Sequence, residues 1–249
     1  MTDQQAYDDW HRHLAAGEPE VEAPTHPWHV TVDRLLPDLS GQRVLEIGCG
    51  RGDFAIWLAG KHPGARISGV DFSPVAIEAA QRRAARAGAG VEFHVGDAEN
   101  LAFADATFDW VISCECIEHL HHPRRMAREM HRLLRPGGRF VLTTESYFNG
   151  MLLAWLKHWI TGDPYNSGSG VQPHENFFLF WTVRRLLEHE GLEVTDTESN
   201  GYQWLLLPRT APARLATREF THPLARRVFK PFGRHFTFVG RRGGGGQGS

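Results

Sequence analysis

A chain of 249 residues with 41% hydrophobic side chains has enough material for one sizeable α/β core with appended segments, and too little for two full domains. A formal charge of −2 exerts no global pull toward nucleic acid, and an odd count of three cysteines, Cys49, Cys114 and Cys116, implies no disulfide framework. The start of the chain lacks the basic and apolar regions of a secretory signal, and no window reaches about 18 uninterrupted apolar residues, so a soluble, cytoplasmic protein is expected.

Charge is distributed unevenly. Residues 1–40 hold eight acidic and two basic side chains, whereas Leu205 to Arg242 holds nine basic residues opposed by Glu219 alone. The first segment reads as an N-terminal helical cap in which Tyr7, Trp10, Trp28 and His29 suit a helix closing over a ligand. The scattered histidines His11, His13, His26, His29, His121 and His122 read for the most part as solvated. The basic segment reads as a solvated face in preference to a contact for anionic lipid, phosphate or RNA.

Residues Val44 to Phe54, V-L-E-I-G-C-G-R-G-D-F, form an apolar run that breaks into Gly48, Gly50 and Gly52 before an amphipathic stretch, Phe54 to Leu58. The pattern predicts a strand, a tight glycine turn and a helix start. Glycine tolerates positive φ and lets backbone approach a ligand, and the helix offers unpaired N–H groups at its N-terminus. A nucleotide-like cofactor is expected there. Arg66 to Asp71 is a second strand, after which Ser73-Pro74 opens a helix that Gly88 stops. Val91 to Val95 is a third strand leading into Gly96-Asp97-Ala98, and Phe108 to Ser113 is a fourth, apolar enough to be buried on both faces. A helix from Pro123 to Leu134, the turn Arg135-Pro136-Gly137-Gly138 and a strand from Phe140 to Thr144 follow.

This alternation predicts an α/β fold with a doubly wound, mostly parallel sheet. Residues 41–242 form the domain, with insertions at about 145–180 and 196–234. A helix from Thr182 to Glu190 and strands at Leu192 to Val194 and His235 to Val239 complete it. The first insertion, with Met151, Leu152, Trp155 and Trp159, reads as a lid over an acceptor, with membrane contact as the lesser alternative. Residues 243–249 read as a disordered glycine-rich tail.

Glu46 and Asp71 sit one βαβ unit apart, so an acid at the tip of the second strand can reach a ribose over the glycine turn. The run E-x-G-x-G-x-G differs from the G-x-G-x-x-G of a nicotinamide site, and an acid at Glu46 repels a pyrophosphate but suits a cofactor bearing an ammonium or sulfonium group. Asp97 suits an exocyclic adenine amine.

V-L-E-I-G-C-G-R-G, V-D-F-S-P, G-D-A-E-N-L-A-F, F-D-W-V-I-S-C-E-C-I-E-H-L and R-L-L-R-P-G-G-R-F-V-L-T-T together resemble the class I S-adenosylmethionine-dependent methyltransferases over roughly Gln42 to Val194. The resemblance implies a seven-stranded sheet with an antiparallel last strand at His235 to Val239. It also implies S-adenosylmethionine as cofactor, with Gly48 and Gly50 against its methionine part and Glu46 and Cys49 beside them. Asp71 would take the ribose hydroxyls, Phe72 would flank the adenine, Asp97 and Ala98 would contact it, and Cys114 would lie near the sulfonium.

The acceptor is less defined. Cys114 to Leu120, C-E-C-I-E-H-L, places Glu115, Glu118 and His119 at i, i+3 and i+4, pointing one way on a helical turn. With His174 they form a candidate site for Mg²⁺. That arrangement resembles the O-methyltransferases of ubiquinone synthesis and the small-RNA 3′-terminal 2′-O-methyltransferases. His119 as a metal-free general base or orienter, with Glu115 and Glu118 beside it, is an equal reading, and a structural role for the motif is a third. Zinc is not expected, because C-x-C-x-x-H offers no fourth ligand nearby. Aromatic residues Trp155, Trp159, Phe177, Phe178, Phe180 and Trp181 favour a closed pocket for a small or lipophilic molecule methylated on oxygen. The rivals are an RNA 2′-O-methyltransferase with an open basic groove and a non-catalytic cofactor-binding protein.

Overall fold

The structure is a computed structural model and describes residues 3–14, 26–146, 176, 178–200, 202–203, 217–218, 224, 228, 230–233 and 235–244. Strand β1 (Arg43–Ile47) lies at the centre, with four of its five residues buried. It pairs in parallel with β2 (Arg66–Asp71) on one side and β4 (Phe108–Cys114) on the other. Strand β3 (Val91–Val95) extends the sheet beyond β2, and β5 (Leu134–Glu145) extends it beyond β4. At the far edge β9 (His235–Arg242) runs antiparallel between β5 and β6 (Leu192–Asn200), giving the order β3-β2-β1-β4-β5-β9-β6. Residues Tyr202–Gln203 (β7) and Thr217–Arg218 (β8) form a separate two-stranded pair.

The chain winds outward from β1 through β2 to β3 and then returns to β1's other side at β4. The carboxyl ends of β1 and β4 therefore splay apart at a switch point, where open α/β sheets hold ligands. Helices α3 (Asp53–Lys61) and α4 (Pro74–Ala87) cover one face, and α5 (Pro123–Leu133) and α6 (Phe180–His189) cover the other. Helix α4 starts as its sequence dictates. The Ser73 hydroxyl accepts from the Ala76 amide at 3.1 Å, Pro74 takes the first helical position, and Gly88 closes the helix at φ 62°. Arg83, on α4, grips Asp53 with both guanidinium nitrogens at 2.9 and 2.5 Å and donates to the Arg51 carbonyl at 3.2 Å, clamping the glycine turn to α4.

Two further helices lie outside the sheet, α1 (Asp3–Leu14) and α2 (Pro27–Leu35). Helix α1 packs on α4, while α2 is pinned to β6 by Asn200 donating to the Thr31 hydroxyl at 3.1 Å and by an Arg34–Glu198 ion pair. Among the described residues of 1–40, these two helices pack on different parts of the fold.

Several boundaries differ from the sequence reading. Strand β5 begins at Leu134 and takes in Arg135 to Gly138, because its pairing with β4 steps from Phe108↔Leu134 to Trp110↔Arg139 and the extra residues are absorbed as an irregularity. Strand β6 continues past Val194 to Asn200, since β9 offers a partner along its whole length and a register shift between Val194 and Asp196 restores the pairing. Helix α6 starts at Phe180 because the Thr182 hydroxyl accepts from the Leu179 amide at 3.0 Å. Gly243, assigned to the disordered tail, is bound through its amide to the Gly191 carbonyl at 2.8 Å. The rest of the tail, 245–249, and the lid residues 147–175 and 177 lie outside the described residues. No helix among the described residues is long and apolar enough to cross a membrane.

Candidate functional site

A cavity of about 970 Å³ opens at the switch point. The cofactor-side residues named from sequence, Glu46, Gly48, Cys49, Gly50, Asp71, Phe72, Asp97, Ala98 and Cys114, all line it. So do Glu115, Glu118 and His119. His174 lies outside the described residues.

The glycine turn explains itself position by position. A Cβ on Gly48, at φ +74°, would stand 2.6 Å from the Cβ and Sγ of Cys116, and one on Gly52, at φ +80°, would stand 2.7 Å from the Phe93 ring. Those two glycines serve packing between elements. Gly50, at φ +52°, differs: an added Cβ would meet only His11 Cε1, at 3.7 Å. The room for a ligand is therefore over Gly50.

Asp71 stands at the tip of β2 and holds that turn. One carboxylate oxygen accepts from the Gly50 amide at 2.8 Å and the other from the Ser73 amide at 2.9 Å, leaving lone pairs directed to the cavity. Burial lifts this carboxyl above its usual range, opposed first by the Ser73 amide. Glu46 is 2% exposed, and its Oε2 has no hydrogen-bond partner. Burial, and then the charge of Asp53, push the Glu46 carboxyl well up. A buried, orphaned acceptor beside an open glycine is what a ligand carrying N–H donors or positive charge would complete. The site thus fits S-adenosylmethionine. Burial likewise raises the Cys49, Cys114 and Cys116 thiols, keeping them protonated and unreactive.

At the other end of the cavity the expected grouping breaks up. Glu115 adopts a left-handed conformation, φ 48°, with its amide directed to the Thr143 carbonyl and hydroxyl, both at 3.2 Å. Only Ile117 to His119 is helical, as a short 3-10 turn, so Glu115 does not share a helical face with Glu118 and His119. Glu118 turns inward, 2% exposed, and accepts from the Thr144 hydroxyl at 2.9 Å. Burial, and then the charge of Glu115, hold its carboxyl well above the ordinary value. His119 stays beside Glu118, Nε2 to Oε1 3.9 Å. Among the described residues Glu115, Glu118 and His119 are therefore not grouped as metal ligands, and nothing there supports the expected Mg²⁺.

Glu115 instead meets His235, whose Nδ1 lies 3.2 Å from Oε2. Ligand-type atoms of Glu115, Glu145 and His235 lie within 4.8 Å of one another, because Glu145 and His235 face each other across β5 and β9. Sequence reasoning missed Glu145 and His235: only the antiparallel register brings them beside Glu115.

The aromatic wall is also displaced. Phe178 and Phe180 belong to the core, Phe180 packing on Phe236 and Phe238 with ring centroids at 5.3 Å, and Trp181 is 46% exposed. Trp155, Trp159 and Phe177 lie outside the described residues, among which the aromatic lining comes from the N-terminal helices, through Tyr7, Trp10 and Trp28, together with Phe54 and Phe72. Trp28 reaches β9, its ring 5.1 Å from that of His235. His29 stacks on Phe54 at 4.6 Å, and burial followed by its neighbour His26 pushes its pKa down to about 4.

A doubly wound sheet with an antiparallel strand near one edge, a glycine turn at the switch point and an acid at the next strand tip define a class of nucleotide-cofactor-binding fold. A family model described as a methyltransferase domain matches residues 44–138. Over those residues the chain is a methyltransferase domain, and its sheet has the class I, S-adenosylmethionine-dependent methyltransferase form.

Among curated relatives it is 37% identical over 115 residues to norajmaline N-methyltransferase of Rauvolfia serpentina, covering 45% of this chain and 39% of that one. It is 39% identical over 126 residues to the phthiotriol/phenolphthiotriol dimycocerosates methyltransferase of Mycobacterium leprae, covering 50% of this chain and 45% of that one. The chain thus spans less than half the length of these relatives. Among solved structures it is similar to the cyclase SpnF, with TM-score 0.66, 20% identity and 98% and 97% of the two chains covered. It is also similar to an S-adenosylmethionine-dependent methyltransferase of Methanosarcina mazei, with TM-score 0.61, 21% identity and 89% and 99% covered. At such identities the structural likeness is one of fold, and a cyclase among the neighbours shows why activity must be argued from the site.

Proposed function

We propose that this chain is a cytoplasmic enzyme that transfers the methyl group of S-adenosylmethionine to an oxygen of a small, largely apolar molecule. The observation that carries the reading is a single cavity with a cofactor-fitted wall, Glu46, Gly50 and Asp71, continuous with a wall bearing Glu115, which pairs with the buried His235. Asp71 would take the ribose hydroxyls, Glu46 the donors at the methionine end, and Asp97 with Ala98 the adenine edge. The cofactor supplies an electrophilic methyl group on sulfur. Methyl transfer is an in-line displacement, so positioning the acceptor oxygen provides much of the rate. Glu115, oriented by His235 Nδ1, accepts the acceptor's hydroxyl proton or its hydrogen bond, and Trp28 and Trp10 supply apolar contact.

A second reading, an amine acceptor, is favoured by one observation. Glu115 and Glu145 bring two carboxylates close together in a partly buried wall, which attracts an ammonium group. An RNA substrate fits less well, since apart from Glu46 and Glu118, whose burial favours the protonated form, the lining carries six carboxylates (Asp53, Asp71, Asp97, Glu99, Glu115, Glu145) against two arginines (Arg51, Arg125) and would repel phosphates.

The test is methyl transfer from labelled S-adenosylmethionine to matched panels of phenols, aromatic amines and RNA 3′ ends. Methylated phenols support the proposal. Methylation confined to amines replaces it with the second reading, methylated RNA overturns both, and saturable cofactor binding without any transfer makes the chain a binding protein.

A further inference from the structure

His11, read from sequence as solvated, is 6% exposed on the inner side of α1. It lines the cavity next to Tyr7 and Trp10. Helix α1 is tied across the β2–α4 turn by the Ser73 hydroxyl donating to the Asp8 carboxylate and by the Gln4 amide directed at the Phe72 carbonyl, 3.5 Å away. Trp10 meets the His11 ring edge-on, centroids 4.7 Å apart and planes at 72°. The imidazole is therefore a placed group.

Its Nδ1 is buried and has no hydrogen-bond partner. Buried polar atoms are rarely left so, because the lost hydration is not replaced. The ring edges the open space over Gly50, where an added Cβ would lie 3.7 Å from His11 Cε1, and the Gly50 amide is itself held by Asp71. Burial, partly offset by the charge of Asp71, keeps the imidazole below its ordinary pKa and hence neutral, with one nitrogen donating and one accepting. A vicinal diol entering over Gly50 would meet a carboxylate on one side and a neutral imidazole on the other.

We propose that His11 is a cofactor-binding residue whose Nδ1 hydrogen-bonds the ribose hydroxyls of the cofactor opposite Asp71, so that α1 supplies part of the nucleoside site. This rests on the cofactor reading of the same cavity. The packing role of the ring and the hydrogen-bonding role of Nδ1 are separable by substitution. His11→Phe keeps a ring against Trp10 and removes the nitrogen, His11→Asn returns a polar atom near the Nδ1 position, and His11→Gln places one nearer Nε2.

The experiment is calorimetric titration of the full chain with S-adenosylhomocysteine and with its 2′,3′-dideoxy analogue. The expected result is a loss of about tenfold in S-adenosylhomocysteine affinity for His11→Phe, the size of one hydrogen bond. His11→Asn should recover most of it and His11→Gln less, and the dideoxy analogue should bind wild type and His11→Phe equally. Equal affinity of His11→Phe and wild type for S-adenosylhomocysteine overturns the proposal, as does an equal loss for both ligands, which would mark a packing effect. If His11→Phe does not fold, the Asn and Gln variants decide: an Asn variant no tighter than Gln overturns it. Wild type that binds neither ligand removes the cofactor reading itself, whereas wild-type binding with indifferent variants removes only the role of His11.

Discussion

The two ends of the cavity are built in different ways. Apart from His11 on α1 and Cys114 on β4, the cofactor wall draws on a short stretch of chain, Glu46 to Ala98, on three adjacent parallel strand tips and the turns that follow them. The acceptor wall gathers Glu115 after β4, Glu145 at the end of β5 and Trp28 from α2, with His235 at the start of β9 touching Glu115 and Trp28. A wall made from consecutive βα units is encoded locally and tolerates change elsewhere. A wall made from strand register and a docked helix can be remodelled without touching the cofactor, which is how one fold serves many acceptors. The two walls touch at Gly48 and Cys116.

That contact gives the largest expected effect. Gly48→Ala adds a Cβ 2.6 Å from Cys116 at a positive φ, and strain and overpacking together should cost about 3 kcal/mol, roughly 6–12 °C in thermal midpoint. An unchanged midpoint would mean the walls are less tightly coupled than the geometry says. Next, Asp71→Ala removes the ribose acceptor and leaves the Gly50 and Ser73 amides without their partner, so S-adenosylhomocysteine affinity should fall about 30-fold, or ~2 kcal/mol, by calorimetry, with turnover at saturating cofactor nearly kept. Loss of turnover at saturation would blur the division between the walls.

On the acceptor side, His235→Phe, which keeps a ring against Trp28 and removes Nδ1, should slow turnover about tenfold, since Glu115 loses its orienting partner, and leave S-adenosylhomocysteine affinity unchanged. Weakened cofactor binding would show that the walls do not act separately. Turnover should also survive chelation, because Glu118 faces Thr144 and is withdrawn from the predicted metal set. Chelator inactivation reversed by Mg²⁺ would direct attention to Glu115, Glu145 and His235 instead. The smallest effect concerns Glu118 itself. Its carboxyl holds a proton in the folded state above the ordinary value of 4.5, so the folded chain binds more protons than the unfolded one as pH rises past that value, and stability drains away. Glu118→Gln keeps an acceptor for the Thr144 hydroxyl and cannot ionise, so it should match wild type near pH 4 and exceed its thermal midpoint by a margin that grows toward pH 8. A margin that does not grow would mean that Glu118 is not held protonated.

The same division governs what could be read from the amino-acid sequence. Helix α4 was legible because Ser73, Pro74 and Gly88 each carry a local conformational reason, and the glycine turn was legible because its positive-φ positions admit little else. The grouping at Cys114 to Leu120 was misread because helical spacing was assumed where Glu115 takes a left-handed turn. Phe178 and Phe180 look like pocket residues in sequence, yet β9 presents Phe236 and Phe238 to them and draws them into the core. His11 resembles any surface histidine until α1 is docked by Asp8 on Ser73. Each miss depends on a partner far away in the chain, and single-sequence periodicity carries no record of such partners.

The most direct measurement is calorimetric titration of the wild-type chain with S-adenosylmethionine, with a nicotinamide dinucleotide run alongside. The account predicts saturable one-to-one binding of S-adenosylmethionine and none of the dinucleotide, whose two phosphate charges would meet a lining with carboxylates in excess of arginines. Binding of the dinucleotide, or of neither ligand, would contradict it.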